Sequence, residues 1–197
     1  MQARVAGLVL AAGLSTRMGR GGSKMLVELG GQSLVARAAR TALEAGLAPV
    51  LVVVGHDAER VRRALAGIDV ETVENPDPAR GMHTSIALGA ERLSAADALV
   101  VLLGDMPLVT ADMVRALVSR WETASPPLAI SLYGDVIAPP VLYDRRVFPE
   151  LLALEGERCG KRVIERHRAE AAELGWPETA LIDLDDPADV ARAEALL

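Results

Sequence analysis

Short apolar runs alternate with helical patterns through the first two-thirds of the chain, and this alternation limits the fold more than any other feature. Val5–Leu10, Val50–Val54 and Ala98–Leu103 are almost wholly apolar, as expected for strands covered on both faces. Val70–Val73 is a further predicted strand. Helical spacing of apolar residues is found over residues 33–46, 58–67, 84–93 and after Thr110. Strands that alternate with helices predict βαβ units and a doubly wound, mostly parallel sheet.

The last third of the chain has a less regular pattern. Its predicted elements are strands over residues 128–132 and 141–143, helices over 149–154 and 161–172, a late strand over 180–184 and a final helix that starts at Asp186–Pro187. Gly134, Pro139 and Pro140 predict a turn-rich segment between the first two of these strands. Because no linker, repeat or low-complexity tract interrupts the pattern, residues 1–197 are predicted to form one domain.

The composition limits the classes of protein to which the chain can belong. The net charge of −6 repels polyphosphate at long range, so broad nucleic-acid binding is not expected. A single cysteine, Cys159, can form neither an internal disulfide nor a zinc cluster. The N-terminal apolar stretch is shorter than the roughly 20 residues of a membrane span. The chain is therefore expected to be cytoplasmic and not bound to membranes, and its core is expected to be aliphatic because aromatic residues are few.

A glycine-rich loop follows the first predicted strand, over residues 11–24. Its small residues would let backbone N–H groups approach an anion, and Arg17 and Lys24 add positive charge that could neutralise a triphosphate. Neither the dinucleotide-binding pattern nor the P-loop pattern is complete in this loop. The alternative is a flexible loop with chance glycines. The position after a strand and the two cations favour a triphosphate cradle.

Asp105 comes directly after the apolar run Ala98–Leu103, within the segment Gly104–Pro107. Ligands of open parallel sheets bind beyond the carboxyl ends of the strands, so this carboxylate is expected on the ligand-binding edge. It could hold Mg²⁺, a hard cation that prefers carboxylate and phosphate oxygens. Its alternative role is a turn residue or a helix cap. Together with the glycine-rich loop, it favours Mg²⁺-dependent nucleotidyl transfer.

Several ordered sequence blocks resemble the nucleotidyltransferase family that matures the molybdenum cofactor. The blocks are Leu10-Ala-Ala-Gly-x-Ser-x-Arg-Met-Gly19 with Lys24, Asn75-Pro76, Arg80-Gly-Met-x-x-Ser85, Gly104-Asp-Met-Pro107 and Asp183-x-Asp-x-Pro187. The resemblance covers nearly the whole chain and is strongest to the molybdopterin cytidylyltransferase-like branch, which is related to the molybdopterin-guanine dinucleotide synthases. It implies a Rossmann-like three-layer α/β/α sandwich of the nucleotide-diphospho-sugar transferase type.

The resemblance also implies an activity and a set of site residues. The enzyme would transfer a nucleoside monophosphate to the terminal phosphate of molybdopterin and release pyrophosphate, with Arg17, Lys24 and Asp105 as its catalytic residues. The pterin phosphate itself would be the nucleophile. Asp105 would bind Mg²⁺, with Asp183 and Asp185 as candidate further ligands. The residues implied to bind the nucleotide are Leu10, Ala11, Ala12, Gly13, Ser15, Arg17, Lys24, Arg80, Gly81 and Ser85.

The choice of nucleotide and the choice of acceptor depend on different segments. Leu-Ala-Ala-Gly at residues 10–13, where the guanylyltransferase branch usually has Leu-Ala-Gly-Gly, favours CTP, as does the block at residues 80–85. Ala138-Pro139-Pro140 and residues 156–160 depart from the family pattern, and both segments fall where the resemblance puts the acceptor. The loop before Lys24 is also longer than is usual in the family.

Three alternatives remain open from the sequence. The enzyme could use GTP, or it could act on another small phosphorylated acceptor such as a sugar phosphate or methylerythritol phosphate. It could also be a non-catalytic nucleotide-binding protein that escorts the cofactor. A molybdoenzyme that receives the product is a candidate partner. The joint presence of Arg17, Lys24 and Asp105 favours an enzyme, and His83 is expected on the surface at a helix start.

Overall fold

The computed structural model describes residues 3–13, 23–156, 159–182, 184 and 187–196. Its strands are β1 (Val5–Ala11), β2 (Glu28–Leu29), β3 (Gln32–Ser33), β4 (Val50–Val54), β5 (Glu71–Glu74), β6 (Ala98–Leu103), β7 (Leu128–Tyr133), β8 (Val136–Asp144) and β9 (Ala172–Trp176). Its α-helices are α1 (Leu34–Glu44), α2 (Ala58–Ala64), α3 (Met82–Arg92), α4 (Ala111–Ala124), α5 (Phe148–Leu152), α6 (Cys159–His167) and α7 (Pro187–Glu194). Within this part of the chain, no helix combines the length and apolar character needed to cross a membrane.

The main sheet has seven strands in the order β5-β4-β1-β6-β8-β7-β9. β1 is an inner strand of this sheet and pairs in parallel with β4 and β6. β8 is antiparallel to both of its neighbours, β6 and β7, whereas β7 and β9 are again parallel. The expectation of a mostly parallel, doubly wound sheet is therefore confirmed. A separate small ribbon pairs β2 with β3.

Two apolar layers cover the sheet, one on each face. Alternate residues of β1 point to opposite sides, because the side-chain period of a strand is two. Val9 packs into the cluster formed with α1, α2 and α4, and Leu8 packs into the cluster formed with α3, α5 and α6. Burial of each such side chain contributes about 1.5–3 kcal/mol. These layers give the three-layer α/β/α sandwich, and most of their buried side chains are aliphatic.

The strand and helix predictions in the first two-thirds of the chain are confirmed, with boundary shifts of at most three residues. The Thr110 side chain accepts a hydrogen bond from the backbone N–H of Met113 at the start of α4. Trp121 and Leu117 on this helix are buried against the sheet. Propensity and tertiary burial agree along this half of the chain, which explains why its elements can be predicted from the sequence.

Two predictions near the C-terminal end are wrong. The helix expected to reach residue 172 ends at His167, and residues 172–176 form β9, an edge strand whose burial alternates along its length. The described residues of 180–184 do not form the expected late strand: Glu178–Ala180 is a single 3₁₀ turn, and residues 181, 182 and 184 have no regular secondary structure. Leu184 is instead fully buried with Leu29 and Leu34 in a small separate cluster. Ile182 also packs against that cluster, whereas Ala180 and Leu181 pack against the core that contains Val9.

The turn-rich segment predicted between these strands is correct at Gly134, which lies in the turn between β7 and β8, but wrong at the two prolines, Pro139 and Pro140, which lie inside β8. Opposite them, the register of β7 jumps from Ile130 paired with Val141 to Ser131 paired with Ala138. The two prolines form the bulge that this shift creates. A bulge tolerates proline because its residues do not form a ladder hydrogen bond.

Candidate active site

A cleft of about 310 Å³ lies at the carboxyl ends of β1 and β6. This is the edge at which open α/β sheets bind ligands. The residues that line it are Leu10, Ala12, Gly13, Met25, Pro78, Gly81, Met82, Ser85, Leu103 and Asp105. Five predicted nucleotide-binding residues and the predicted metal ligand thus come together in one cleft.

The backbone at the end of β1 is held by two neighbouring strands. Leu10 accepts a hydrogen bond of 3.0 Å from the backbone N–H of Gly104, which joins the ends of β1 and β6. Gly55, directly after β4, packs so closely that a Cβ atom there would lie 2.5 Å from the carbonyl oxygen of Ala12. Only glycine fits this approach. Ala11 and Ala12 are buried, and the chain reaches the surface at Gly13.

Asp105, which lines this cleft, forms an ion pair with Lys24, with Nζ of the lysine and Oδ2 of the aspartate 2.9 Å apart. Lys24 lies in a 3₁₀ turn, Lys24–Leu26, which Ser23 caps through its Oγ atom. The side chain of Lys24 is 8% exposed and that of Asp105 is 24% exposed. The predicted cation therefore meets the predicted metal ligand even though the loop that precedes it is long. Arg17 and Ser15 lie outside the described residues.

Ser85 is held in the cleft wall by a buried asparagine. The Nδ2 group of Asn75, which follows β5, donates to Oγ1 of Thr84 at 2.7 Å and to Oγ of Ser85 at 2.9 Å. Its Oδ1 atom accepts from the backbone N–H of Asp77 at 3.0 Å. Asn75 thus joins the end of β5 to the start of α3. The sequence places Asn75 in a block that resembles the family, but it does not show that Asn75 holds Ser85 in position.

Two predicted nucleotide-binding residues, Arg80 and Gly81, are neighbours just before α3, but only one of them lines the cleft. Gly81 is the N-terminal cap of α3 and lines the cleft with a φ angle of 115°, a conformation that strongly favours glycine. The Arg80 side chain is 67% exposed, faces Asp77 at 4.0 Å and is not among the residues that line the cleft. Arg80 would have to change rotamer to reach a ligand there.

Asp105 is the cleft residue best suited to bind a divalent metal. Asp105 is the single carboxylate among the described residues that line it, and carboxylate oxygen is a ligand that Mg²⁺ prefers. In the described ranges no three His, Cys, Asp or Glu side chains form a cluster. Asp183 and Asp185 lie outside the described residues. This donor set fits a metal held jointly by Asp105 and substrate phosphates, which is a common arrangement for Mg²⁺.

A second cavity of about 440 Å³ adjoins the cleft and shares Gly81, Met82 and Leu103 with it. Its other lining residues are His83, Ile86, Val101, Ile137, Ala138, Pro139, Val141, Tyr143, Gly156, Gly160, Lys161 and Ile164. Both segments that depart from the family pattern therefore contribute described residues to one cavity: Ala138 and Pro139 from the first, Gly156 and Gly160 from the second. We call it the side cavity.

Two hydroxyl groups fix the proline wall of the side cavity. Tyr133 donates to the carbonyl oxygen of Pro139 at 2.9 Å, and Ser131 donates to that of Pro140 at 2.7 Å. Burial raises the pKa of the Tyr133 hydroxyl well above its ordinary value of 10.0, against an opposing hydrogen bond with Ser131. Tyr133 therefore stays protonated and remains a donor at neutral pH.

His83 is buried in the side cavity, and the expectation of a surface histidine is wrong. Its side chain sits at the second position of α3 and the residue is only 5% exposed. Gly81 leaves the space for the ring, because a Cβ atom there would lie 3.2 Å from Nδ1 of His83. A histidine at the start of a helix is expected to be exposed to solvent from its sequence pattern, and nothing in the sequence indicated that His83 would be buried.

Comparison with known proteins identifies the family. A model described as "MobA-like NTP transferase domain" matches residues 7–171, which include both strand ends of the cleft. The chain belongs to this family. It therefore carries a nucleotidyltransferase domain, in agreement with a cleft that pairs a lysine with a carboxylate at the sheet edge.

Individual relatives extend the comparison. The bifunctional protein GlmU of Anaeromyxobacter dehalogenans (strain 2CP-1 / ATCC BAA-258) is 33% identical over 195 residues, which is 90% of this chain and 39% of that protein. The chain thus spans about two-fifths of this relative's length. Rv0371c from Mycobacterium tuberculosis H37Rv superposes with a TM-score of 0.83 at 25% identity, and covers 99% of this chain and 100% of its own. A second structure of Rv0371c, in complex with manganese, has a TM-score of 0.78 at 26% identity, with coverage of 99% and 100%.

Proposed function

We propose that this chain is a Mg²⁺-dependent enzyme that transfers CMP from CTP to the phosphate of molybdopterin and releases pyrophosphate. The observation that carries the proposal is the Lys24–Asp105 pair, which holds a cation 2.9 Å from the carboxylate that lines the cleft beyond β1 and β6. Nucleotidyl transfer needs this combination, since a triphosphate must be neutralised and aligned before it reacts.

The proposed reaction is an in-line displacement at the α-phosphorus of CTP. An oxygen of the acceptor phosphate forms the new P–O bond, the bond between the α-phosphorus and the bridging oxygen breaks, and pyrophosphate leaves with that electron pair. Lys24 donates its N–H groups to the triphosphate and stabilises the charge that develops on the leaving group. Asp105 holds the metal, which supplies neutralisation of the phosphate oxygens when bound. No protein nucleophile is required.

The nucleotide half of the proposal assigns named residues to CTP. Leu10, Ala11, Ala12 and Gly13 would contact the base and ribose, with Gly81 and Ser85 on the opposite wall. Arg17, Ser15 and Arg80 remain proposed contacts, and Asp183 and Asp185 remain proposed second metal ligands. Manganese in the complex of the related Rv0371c supports a divalent cation in this family.

The acceptor half of the proposal rests on the sequence blocks shared with the molybdenum cofactor family. The GlmU relative favours a second candidate function, in which the acceptor is a sugar phosphate. GTP remains the alternative nucleotide. A molybdoenzyme is the proposed recipient of the product only if the acceptor is molybdopterin.

The test is pyrophosphate release with purified protein and Mg²⁺, for CTP and GTP, each with molybdopterin, glucose 1-phosphate or methylerythritol phosphate. We expect release with CTP and molybdopterin. Release with a sugar phosphate alone would overturn the molybdopterin assignment and support the second candidate. Calorimetric binding of CTP without turnover for any acceptor would instead support the nucleotide-binding escort protein.

A further inference from the structure

Lysine is rare in this chain, and both of its positions belong to the region of the cleft and the side cavity. Of the 21 Lys and Arg residues, two are lysines, Lys24 and Lys161. Lys24 pairs with Asp105 of the cleft, and Lys161 lines the side cavity. Lysine carries a compact charge on a flexible stem, whereas arginine presents a rigid planar fork. A chain that otherwise uses arginine thus has one lysine beside each of these two adjoining spaces.

The side chain of Lys161 is available to a ligand. The residue lies in the first turn of α6 and is exposed. No ion pair or hydrogen bond joins it to another residue in the described ranges, whereas Arg166, further along the same helix, pairs with Glu150. The ammonium group of Lys161 is therefore not held away from the mouth of the side cavity by these residues.

The cleft and the side cavity together provide room for two substrates. Small-molecule sites usually enclose about 300–1,000 Å³, so the cleft of about 310 Å³ fits one ligand. The side cavity adds about 440 Å³ and shares Gly81, Met82 and Leu103 with the cleft. Under the proposed function, the nucleotide would occupy the cleft and the acceptor would occupy the side cavity. The acceptor phosphate would then meet the nucleotide at this shared rim.

The meeting of two phosphorylated substrates has an electrostatic cost. A phosphate monoester carries a charge of about −1.5 to −2 at neutral pH, and it must approach a triphosphate of the same sign. A nearby cation lowers the repulsion between them. Among the described residues that line the two spaces, Lys161 has the one permanent positive charge. It is the lining residue best suited to bind the second anion.

The place of Lys161 in the fold puts it near the shared rim. Gly160, the residue before it, lies against α3, because a Cβ atom there would be 3.9 Å from Cδ1 of Ile86. Ile86 comes four residues after Met82, which is about 6 Å along the helix. The flexible four-carbon stem of a lysine can carry its ammonium group over a distance of this order.

We propose that Lys161 binds the phosphate group of the acceptor at the mouth of the side cavity. The inference rests on the proposed function, since it puts the nucleotide in the cleft and the acceptor in the side cavity. Lys161 donates N–H groups to the phosphate oxygens and lowers the repulsion between the acceptor and the triphosphate. It binds the acceptor and makes no covalent bond during the reaction.

The experiment compares the wild type with Lys161→Met, which keeps most of the aliphatic stem, and Lys161→Arg, which keeps the charge. Arg162→Met is the matched control, because Arg162 is the next residue of α6, is exposed and is absent from the residues that line the two spaces. Calorimetry measures binding of CTP, of molybdopterin and glucose 1-phosphate, and of dephospho-molybdopterin and glucose. Where turnover occurs, kcat and KM are measured as well.

We expect Lys161→Met to weaken binding of the phosphorylated acceptor by roughly 10- to 100-fold, as for loss of a hydrogen bond to a charged group. The KM for the acceptor should rise by a similar factor, while CTP binding and kcat at saturating acceptor change little. Binding of the counterpart without phosphate should not change, Lys161→Arg should recover part of the loss, and Arg162→Met should resemble the wild type.

Three outcomes would overturn the inference. They are equal affinity of the wild type and Lys161→Met for the phosphorylated acceptors, an equal loss in Lys161→Met and Arg162→Met, and no binding of either phosphorylated acceptor by the wild type. A different result bears on the proposed function alone. Acceptor binding that depends on Lys161, without pyrophosphate release from CTP or GTP, would refute the transferase reaction and leave the role of Lys161 in place.

Discussion

Nζ of Lys24 lies 2.9 Å from Oδ2 of Asp105, and the two residues follow different strands of the sheet. Lys24 belongs to the segment after β1, and Asp105 follows β6 directly. In the protein without substrate, each charge compensates the other inside a cleft with little exposure to water. Under the proposed function, each charge would find a new partner when a nucleotide and its metal bind, so the cleft would not have to bury an uncompensated charge in either state.

Asp105→Asn should abolish most metal-dependent turnover, with a loss of roughly 10²- to 10³-fold in kcat. The amide keeps the shape of the side chain but cannot neutralise a divalent cation. Pyrophosphate release over a Mg²⁺ titration measures the effect, and thermal unfolding checks that the fold is intact. Asp112→Asn, a change at a side chain that is 87% exposed, is the control. Normal turnover in Asp105→Asn would remove this residue from the mechanism.

Lys24→Met should raise the KM for CTP by roughly 10- to 100-fold, because a charge-assisted hydrogen bond to phosphate is lost. The aliphatic stem is kept, so packing around the 3₁₀ turn changes little. Combined with Asp105→Asn, the variant also gives a double-mutant cycle on unfolding free energy, with an expected coupling of about 0.5–3 kcal/mol. Strict additivity of the two changes would show that the ion pair contributes nothing to stability.

Gly55→Ala should lower the free energy of unfolding by about 1–3 kcal/mol, since its Cβ atom would force the backbone of Ala12 to move. Because Ala12 lines the cleft, CTP affinity should fall as well. Gly175→Ala is the matched control, with no heavy atom within 4 Å of the added Cβ. Urea unfolding and calorimetry give the two readouts. Equal stability of the two alanine variants would contradict the close approach of Gly55 to Ala12.

Tyr133→Phe should weaken acceptor binding more than CTP binding. The change removes the hydrogen bond to Pro139, whose carbonyl then lacks this donor, at a cost of about 1–3 kcal/mol in unfolding free energy. The proline wall of the side cavity would become less rigid, so the KM for the acceptor should rise while that for CTP stays constant. A rise in the KM for CTP alone would show that this wall belongs to the nucleotide site.

Asp144 should make stability depend on pH on the acid side. Burial by itself raises the pKa of this carboxyl, but hydrogen bonds from the side chain and backbone of Arg146 and from Trp121 outweigh it, and the pKa lies below its ordinary value of 3.8. The stabilisation is therefore complete above about pH 4 and is lost as the pH falls further, through the lowered pKa of the folded state.

The measurement is urea unfolding from pH 7 to pH 3 for the wild type, Asp144→Asn and Asp135→Asn, the last being an exposed control. At pH 7 we expect Asp144→Asn to be less stable by about 1–3 kcal/mol. That difference should shrink below about pH 4. A constant difference across the range would show that the charge of Asp144 does not contribute to stability.

The sequence allowed prediction of the elements whose local pattern and burial agree. β1, β4 and β6 are continuous apolar runs, and their ends carry Leu10, Gly13 and Asp105 as expected. β9 was missed because its alternating Ala-Glu-Leu-Gly-Trp pattern is short and follows a helical segment. Edge strands owe their structure to a neighbouring strand, which here is β7, distant in sequence.

The site was predictable to the extent that it depends on strand ends. Lys24 and Asp105 could be expected at one edge from the parallel topology, whereas Asn75, Gly55 and the buried His83 depend on how separate elements approach each other. Such contacts leave no periodic signal in the sequence. Ser15, Arg17, Asp183 and Asp185 lie outside the described residues and stay predictions.

β8 runs against the other strands of the main sheet, and this has a consequence for how the family can diversify. Because of its direction, the beginning of β8, and not its end, arrives at the edge where β1 and β6 finish. Under the proposed function, residues 137–139 can then change to admit a new acceptor while the strand ends that hold the nucleotide keep their sequence. The reversed direction of β8 would thus let the acceptor change during evolution while the residues that bind the nucleotide stay the same.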